Sequence, residues 1–415
     1  MKDLRTIVLA AGKGTRMKSE TPKVLHKVSG CAIISYVLDI VKSIGSLKTY
    51  VVVGHGSQQV KNFLPKDIET VLQKKLLGTA DAVRSVESKL RNFRGDVLIL
   101  CGDTPLLKKQ TIQSLVRKHR ISKAVCTFLT ASVNNPDGYG RIIRSNDNRV
   151  EAIREHKDAS KEELNISEVN VGVYCIDSKK LFQALKTVKL NPKKKEFYLT
   201  DTIEFLVQKS YKIETVTTED FFEGLGVNDR EDLAMAEDVI RHRILTNLMI
   251  SGVTIVDPET TFIEADVKIG TDTIIRPFTL IEKDVVIGKH CLIGPFARIR
   301  SKSRIADRVE VGNFTEVNRT RIGSGTLMKH FSYLGDAILG KDVNIGAGTV
   351  TANFDGKNKN DTYIADGAFI GSDSVLIAPV KIGKKAMVGA GSVLTRGKNV
   401  PDKRTVVGVP ARIIK

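Results

Sequence analysis

The chain has 415 residues, 41% hydrophobic and 27% charged, with a formal net charge of +18. That length suits about two or three domains, each with its own core, and that balance excludes a mostly disordered chain. Five cysteines (Cys31, Cys101, Cys126, Cys175, Cys291), odd in number and never in a CxxC pair, argue against a disulfide or zinc framework and for a reducing cytoplasm. The first apolar run is only about five residues long, too short for a signal-peptide core, and no stretch is long enough to span a membrane. A soluble cytoplasmic protein without membrane insertion is expected. The positive charge does not indicate nucleic acid, whose grooves interleave aromatic with basic residues. Here aromatics total 6% and Trp is absent. Small polyanionic substrates or a solvated lysine-rich surface account for the excess equally well.

Up to about residue 228 the chain alternates strand-like runs with helical patterns. "TIVLAAG", "TYVVVGHG", "DVLILCGDTPL", "KAVCTFLTASV" and "NVGVYCID" read as strands, and "AIISYVLDIVKSIG" as a helix. Such alternation predicts an α/β domain over 1–228 with a mostly parallel sheet and a ligand site at the C-terminal strand ends. The first strand runs into "AAGKGTR", whose glycines let backbone N–H groups approach anionic oxygens and whose Arg16, with Lys23 beyond it, adds cations. Neither GxxxxGK[ST] nor GxGxxG is present, which weakens ATPase and dinucleotide readings. A Gly-rich loop after a strand is often a plain turn. Asp103, directly after a strand, suits a metal ligand, although such an aspartate also commonly caps a turn. His26 and His55 read as structural.

Residues 229–250 change period, with Leu233, Ala236, Ile240, Ile244 and Leu248 at helical spacing, acidic residues first and Ser251-Gly252 at the end. This predicts a linker helix. Over 251–415 aliphatics recur every sixth position from Ile263 through Ile269, Ile275, Ile281, Ile287, Ile293, Ile299, Ile305 and Val311 to Val317. After a zone that reads as broken, the period resumes at Ile364, Ile370, Leu376, Ile382, Val388 and Leu394. Period six fits neither an α-helix nor a simple alternating strand; it predicts an all-β parallel β-helix of hexapeptides. "ANFDGKNKNDTY" is too polar and too long for one rung and is expected to project as a loop. His330 is a candidate base, since histidine is the side chain suited to moving a proton near neutrality, though a lone His is more often a surface or core residue. No Cys or Ser near it has a convincing partner base, so direct transfer is favoured over an acyl-enzyme.

"LAAGKGTRM" and "PKVLH", followed in order by "LQKKLLGTADA", "LCGDTPL", "GYGRI", "REHKDAS", "EVNVGVY" and "GVNDR", resemble sugar-1-phosphate nucleotidylyltransferases. Together with "GPFARIR", "GNFTEV", "HFSYLGDA" and "VNIGAGTVTANFDG", the chain resembles, over nearly its whole length, the family of bifunctional bacterial N-acetylglucosamine-1-phosphate uridylyltransferases and glucosamine-1-phosphate acetyltransferases. The resemblance implies a Rossmann-like first domain, a left-handed β-helix, Mg²⁺, UTP and acetyl-CoA as substrates, and a homotrimer. It implies that Leu9, Ala10, Gly12, Gly14, Thr15, Arg16 and Lys23 hold the nucleotide phosphates, and that Gln73, Gly78 and Thr79 read the uracil. Asp103 and Asn228 would bind the metal, and Gly138, Glu155, Asn170 and Asn228 the sugar. In the second half it implies His330 as base, with Arg300, Tyr333, Asn344 and Lys359 for the sugar phosphate. Ala347, Asn353, Phe354, Ser372 and Ala390 would face acetyl-CoA. Three positions depart from the family pattern: Asn318 stands where a lysine is usual, with Arg319 or Arg321 as candidate replacements; Phe354 replaces an aromatic hydroxyl; and the arm near Gly408 lacks an arginine. The solenoid also reads as shorter than usual at its N-terminal side. Two further readings stay open: a uridylyltransferase with the solenoid as scaffold, and a non-catalytic regulatory subunit.

Overall fold

A computed structural model describes residues 3–192 and 194–414. The chain divides into two compact units, Met1–Val239 and Ile240–Lys415.

The first unit is built on nine strands: β1 (Leu4–Ala10), β2 (Lys48–Val53), β3 (Glu69–Leu72), β4 (Asp96–Cys101), β5 (Cys126–Ser132), β6 (Arg141–Arg144), β7 (Val150–Arg154), β8 (Glu168–Asp177) and β9 (Ile213–Thr218). Their order is β9-β5-β8-β4-β1-β2-β3, with the β6–β7 hairpin attached to β8. The β9–β5, β4–β1, β1–β2 and β2–β3 pairs are parallel, and β8 runs antiparallel between β4 and β5. The central strands are apolar on consecutive residues because both faces of the sheet are covered. Val8, Val51, Leu98 and Leu100 pack on one side against α1 (Ile33–Ser43) and α3 (Lys109–Ser122). Ile7, Val52, Val97 and Ile99 pack on the other against α2 (Thr79–Arg84), α4 (Ser178–Leu185) and α5 (Asp201–Gln208). Each such fully buried aliphatic contributes about 1.5–3 kcal/mol. β1 and β4 end at the same edge, where Gly102 N donates to the Leu9 carbonyl at 2.8 Å. Loops 11–25 and 102–108 therefore leave from one place.

Helix α6 (Arg230–Ile250) buries Ala236 and Ile240, and its later residue Leu245 joins the solenoid core. It ends at Gly252, whose φ of 95° no β-carbon-bearing residue adopts readily. Among the described residues no helix is long and apolar enough to cross a membrane.

The second unit is a left-handed parallel β-helix whose short strands stack into three sheets of ten, eight and seven strands. Ile263 pairs with Ile281, Ile281 with Ile299 and Ile299 with Val317, three hexads apart, so each coil stacks its aliphatic on the one below. The coils lie so close that a β-carbon on Gly312 would come within 1.8 Å of the Lys329 carbonyl oxygen. That crowding explains the small residues after the aliphatic positions. Three corner phenylalanines, Phe278, Phe296 and Phe314, take left-handed φ values of 53–55° and stack at 4.8 and 5.0 Å between centroids.

The stretch between Val317 and Thr351, read from the sequence as broken, continues the coil with shortened corners. Ile322, Met328, Leu334, Leu339 and Ile345 are all buried in it. Ile322 and Leu339 arrive one residue early, because the corners at Arg319 (φ 50°) and Asp336 (φ 49°) are shortened. A fixed period of six cannot follow such steps. The loop after Asn353 leaves from the same corner one coil further on, where Thr362 N donates to the Asp336 carbonyl at 3.1 Å.

Candidate active sites

At the strand-end site, Leu9 and Ala10 close β1 and the chain turns through Gly12 and Gly14 into Thr15. Gly14 has φ 61°, and a β-carbon on it would sit 2.9 Å from Lys23 Cβ, so this glycine serves both the turn and the lysine. Lys23 begins a short turn after Pro22, and its ammonium pairs with the Asp103 carboxylate and with Asn228 Oδ1 at 3.2 Å. These residues are far apart in sequence. Val227 N donates to the Asp103 carbonyl at 2.8 Å, and Asn228 Nδ2 donates to the Gly226 carbonyl at 2.8 Å, which leaves Oδ1 for a cation. Arg16 is exposed and, among the described residues, unpaired. Thr15 is exposed beside it.

Gln73 is buried and gives its amide hydrogens to the Gly78 carbonyl at 3.1 Å and Asp81 Oδ2 at 2.7 Å. Gly78 (φ 98°) abuts the Phe197 backbone, and the Thr79 hydroxyl accepts from Leu199 N at 3.0 Å. These three residues therefore form one group at the start of α2. Glu155 accepts a hydrogen bond from the Thr200 hydroxyl at 2.8 Å. Burial raises its pKa, Thr200 opposes that, and Asp158 and Glu196 add to it. Gly138 (φ 84°) lies in an open loop. Asn170 Nδ2 donates to the Tyr174 hydroxyl at 2.7 Å and its Oδ1 accepts from Gly172 N at 3.1 Å, so this side chain also shapes the irregularity in β8.

Sequence reasoning missed the segment Glu196–Asp201, which touches both the Gly78–Thr79 group and Glu155. Burial, reinforced by Glu155 and Glu204, pushes the Asp201 carboxyl up to about 6, and burial with Glu155 pushes Tyr198 to about 12. Two acids flanking "FYLT" in a loop was the available signal. His26 is buried with Arg230 at 3.3 Å from Nδ1, and burial followed by Arg230 lowers its pKa.

For a metal, Asp103 and Asn228 offer a carboxylate and a carbonyl oxygen that already meet on one cation, the Lys23 ammonium. Hard oxygen donors of this kind, few in number, suit Mg²⁺, which takes one or two carboxylates and completes its shell from phosphates and water. Among the described residues no cluster of three or more His, Cys, Asp or Glu could hold a metal.

In the solenoid, His330, Ala347, Ser372 and Ala390 each lie three residues past the paired positions Leu327, Asn344, Phe369 and Met387, and so occupy one corner on successive coils. Phe331 O accepts from Gly348 N, Ala347 O from Asp373 N and Ser372 O from Gly391 N, each at 2.7 Å. His330 is exposed, and among the described residues none bonds to its ring. Asn344 lies on the strand leading into that corner.

Across the eight-stranded sheet, Arg319 grips Asp336 with two bonds of 2.6 and 2.7 Å and donates to Asn318 Oδ1 at 2.9 Å. Asn353 Nδ2 also donates to Asp336, and Tyr333 OH accepts from Asn318 Nδ2 at 3.5 Å. Burial raises the Asp336 pKa, but Arg319, Asn353 and Lys359 outweigh it and hold the carboxyl below its ordinary range. Lys359 sits on the projecting loop opposite the exposed Phe354. Arg300, in register with Asn318 one coil away, pairs with Glu316 at 3.0 Å. One candidate replacement for the missing lysine, Arg319, is ion-paired with Asp336. The other, Arg321, lies on a strand of the seven-stranded sheet. Gly408 (φ 97°) opens a final hairpin that brings Arg412 back beside Val407.

Residues 6–197 match the MobA-like NTP transferase domain family, and residues 284–319 and 361–396 match the bacterial transferase hexapeptide family. The pairing defines a nucleotidyltransferase joined to a hexapeptide transferase. The bifunctional protein GlmU of Shouchella clausii is 46% identical over 94% of this chain and 93% of its own length. Those of Geobacillus thermodenitrificans and Acetivibrio thermocellus are 43% and 41% identical over 99% and 100% of this chain and 96% and 97% of theirs. The chain belongs to the bifunctional GlmU family. A solved UDP-glucose pyrophosphorylase in complex with UDP-glucose shares the fold over 59% of this chain and 100% of its own, at 15% identity and a TM-score of 0.50.

Proposed function

We propose that the chain makes UDP-N-acetylglucosamine in two steps. The solenoid transfers acetyl from acetyl-CoA to glucosamine-1-phosphate, and the α/β unit then transfers uridylyl from UTP to the acetylated product. The observation that carries the reading is the meeting of Lys23, Asp103 and Asn228 on one point beyond the β1 and β4 ends. Attack of a sugar phosphate on the α-phosphorus of a triphosphate brings anions together, each unit pair costing roughly 4 kcal/mol at 4 Å and an effective dielectric near 20. Such a reaction needs cations and positioning more than a nucleophilic residue. Mg²⁺ held by Asp103 and Asn228 would supply part of that neutralisation. Arg16 and Lys23 hold the phosphates that leave as pyrophosphate, beside the N–H groups of Gly12, Gly14 and Thr15. Gln73, Gly78 and Thr79 read the base, while Gly138, Glu155, Asn170 and Asn228 receive the sugar.

In the solenoid, His330 takes a proton from the sugar amine as nitrogen attacks the thioester carbonyl, and the coenzyme leaves as its thiol. Small residues at Ala347, Ser372 and Ala390 let the coenzyme lie along the corner, with Asn353 and Phe354 beside it. Arg300, Tyr333, Asn344 and Lys359 hold the sugar phosphate. The exposed phenylalanine stack supports assembly with further copies of the chain, as a trimer. Five free cysteines suit a reducing cytoplasm.

Supplying Mg²⁺, UTP, glucosamine-1-phosphate and acetyl-CoA is expected to release both CoA and pyrophosphate. Pyrophosphate only from pre-acetylated sugar phosphate would leave the solenoid a scaffold. Neither product would make the chain a regulatory subunit.

A further inference from the structure

The Lys23 ammonium lies where the two oxygens of the proposed metal site converge, with the Lys23 and Asp103 side chains only 14% and 22% exposed. A divalent cation on those oxygens and an ammonium at the same point exclude each other by size and by charge. The lysine stem begins against the phosphate loop, since a β-carbon on Gly14 would nearly touch Lys23 Cβ. From that root a flexible four-carbon stem reaches either the loop or Asp103 without moving the backbone. Gly226 keeps the Asn228 oxygen aimed when it leaves, and the bond from Val227 N to the Asp103 carbonyl keeps the two backbones together.

We propose that Lys23 is a placeholder cation. In the nucleotide-free chain it closes the Asp103–Asn228 pair to divalent metal, and an incoming triphosphate opens the pair by drawing the ammonium onto its own oxygens. Metal and nucleotide then bind with positive coupling, and free metal alone does not load the site. The inference rests on the uridylyltransferase reading of this site.

The test is Mn²⁺ binding without nucleotide, followed by the electron paramagnetic resonance of free Mn²⁺. Lys23→Met is expected to bind Mn²⁺ about tenfold more tightly than wild type, the worth of one charge-assisted hydrogen bond. Arg16→Met removes a nearby charge that does not touch Asp103 and is expected to change affinity less than about twofold. Adding Asp103→Asn to Lys23→Met is expected to abolish the gain. A non-hydrolysable UTP analogue is expected to tighten Mn²⁺ binding more in wild type than in Lys23→Met. Equal or weaker binding by Lys23→Met, an equal gain in Arg16→Met, or equal tightening by the analogue overturns the proposal. Lys23→Gln replaces Lys23→Met if the latter melts early. A wild-type chain that releases no pyrophosphate from UTP and N-acetylglucosamine-1-phosphate sinks the functional reading instead.

Discussion

Single side chains at the first site work against their own solvation, and Asp201 shows the cost. Its carboxyl is pushed up to about 6, chiefly by burial and then by Glu155 and Glu204. A carboxyl whose folded pKa exceeds the unfolded value takes up a proton on folding, so its penalty is absent below about pH 4 and grows as pH rises to 6. Asp201→Asn is therefore expected to stabilise the α/β unit at pH 7 by about 1 kcal/mol, discounted because the group is only partly buried. The gain should fade by pH 4.5; thermal melts at both values measure it, and an equal shift at both would contradict the linkage. Asp201 was legible only as one of two acids flanking "FYLT", since nothing local tells a buried acid at a helix start from a solvated one. Lys23 and Asp103 were legible from their loops, but their direct contact was not: it depends on β1 lying beside β4, which no local pattern states.

At the scale of elements, Glu223 fastens the segment that carries Asn228 to the helix that follows Asp103. It is only 2% exposed and accepts from Lys108 N at 2.8 Å, the Thr111 hydroxyl at 2.9 Å and the Thr218 hydroxyl at 2.8 Å. Glu223→Ala strands two donors at the start of α3 and one at the end of β9, and is expected to cost about 3 kcal/mol or more in a denaturant melt. A loss under about 1 kcal/mol would mean that water replaces the carboxylate. The central strands were readable because both their faces are buried, and α1 because its apolar face repeats at helical spacing. The β6–β7 hairpin and β9 went unread, being short and interrupted by charged residues such as Arg144 and Glu214. In the solenoid the hexads announced themselves wherever a coil takes eighteen residues, and vanished to a fixed-period search at Arg319 and Asp336, where the corners are short.

At the scale of the whole molecule, the two reactions are assigned to separate units, so damage should be separable. His330→Ala is expected to lose CoA release by at least about a hundredfold and keep pyrophosphate release from pre-acetylated substrate, while Asp103→Asn does the reverse. Mixed in one tube with glucosamine-1-phosphate, the two variants are expected to restore the full sequence through freely diffusing intermediate, read as UDP-N-acetylglucosamine formed. Failure of the mixture, with each half-reaction intact, would require the intermediate to pass within one assembly. The shortened corners have a consequence for how such a prism can change over time. Turns between Ile263 and Val311 repeat one another and form an extensible ruler, open to gain or loss of whole turns without loss of register. The turns bracketed by Arg319 and Asp336 are unique parts that no neighbour can replace, so drift in length is kept out of that zone.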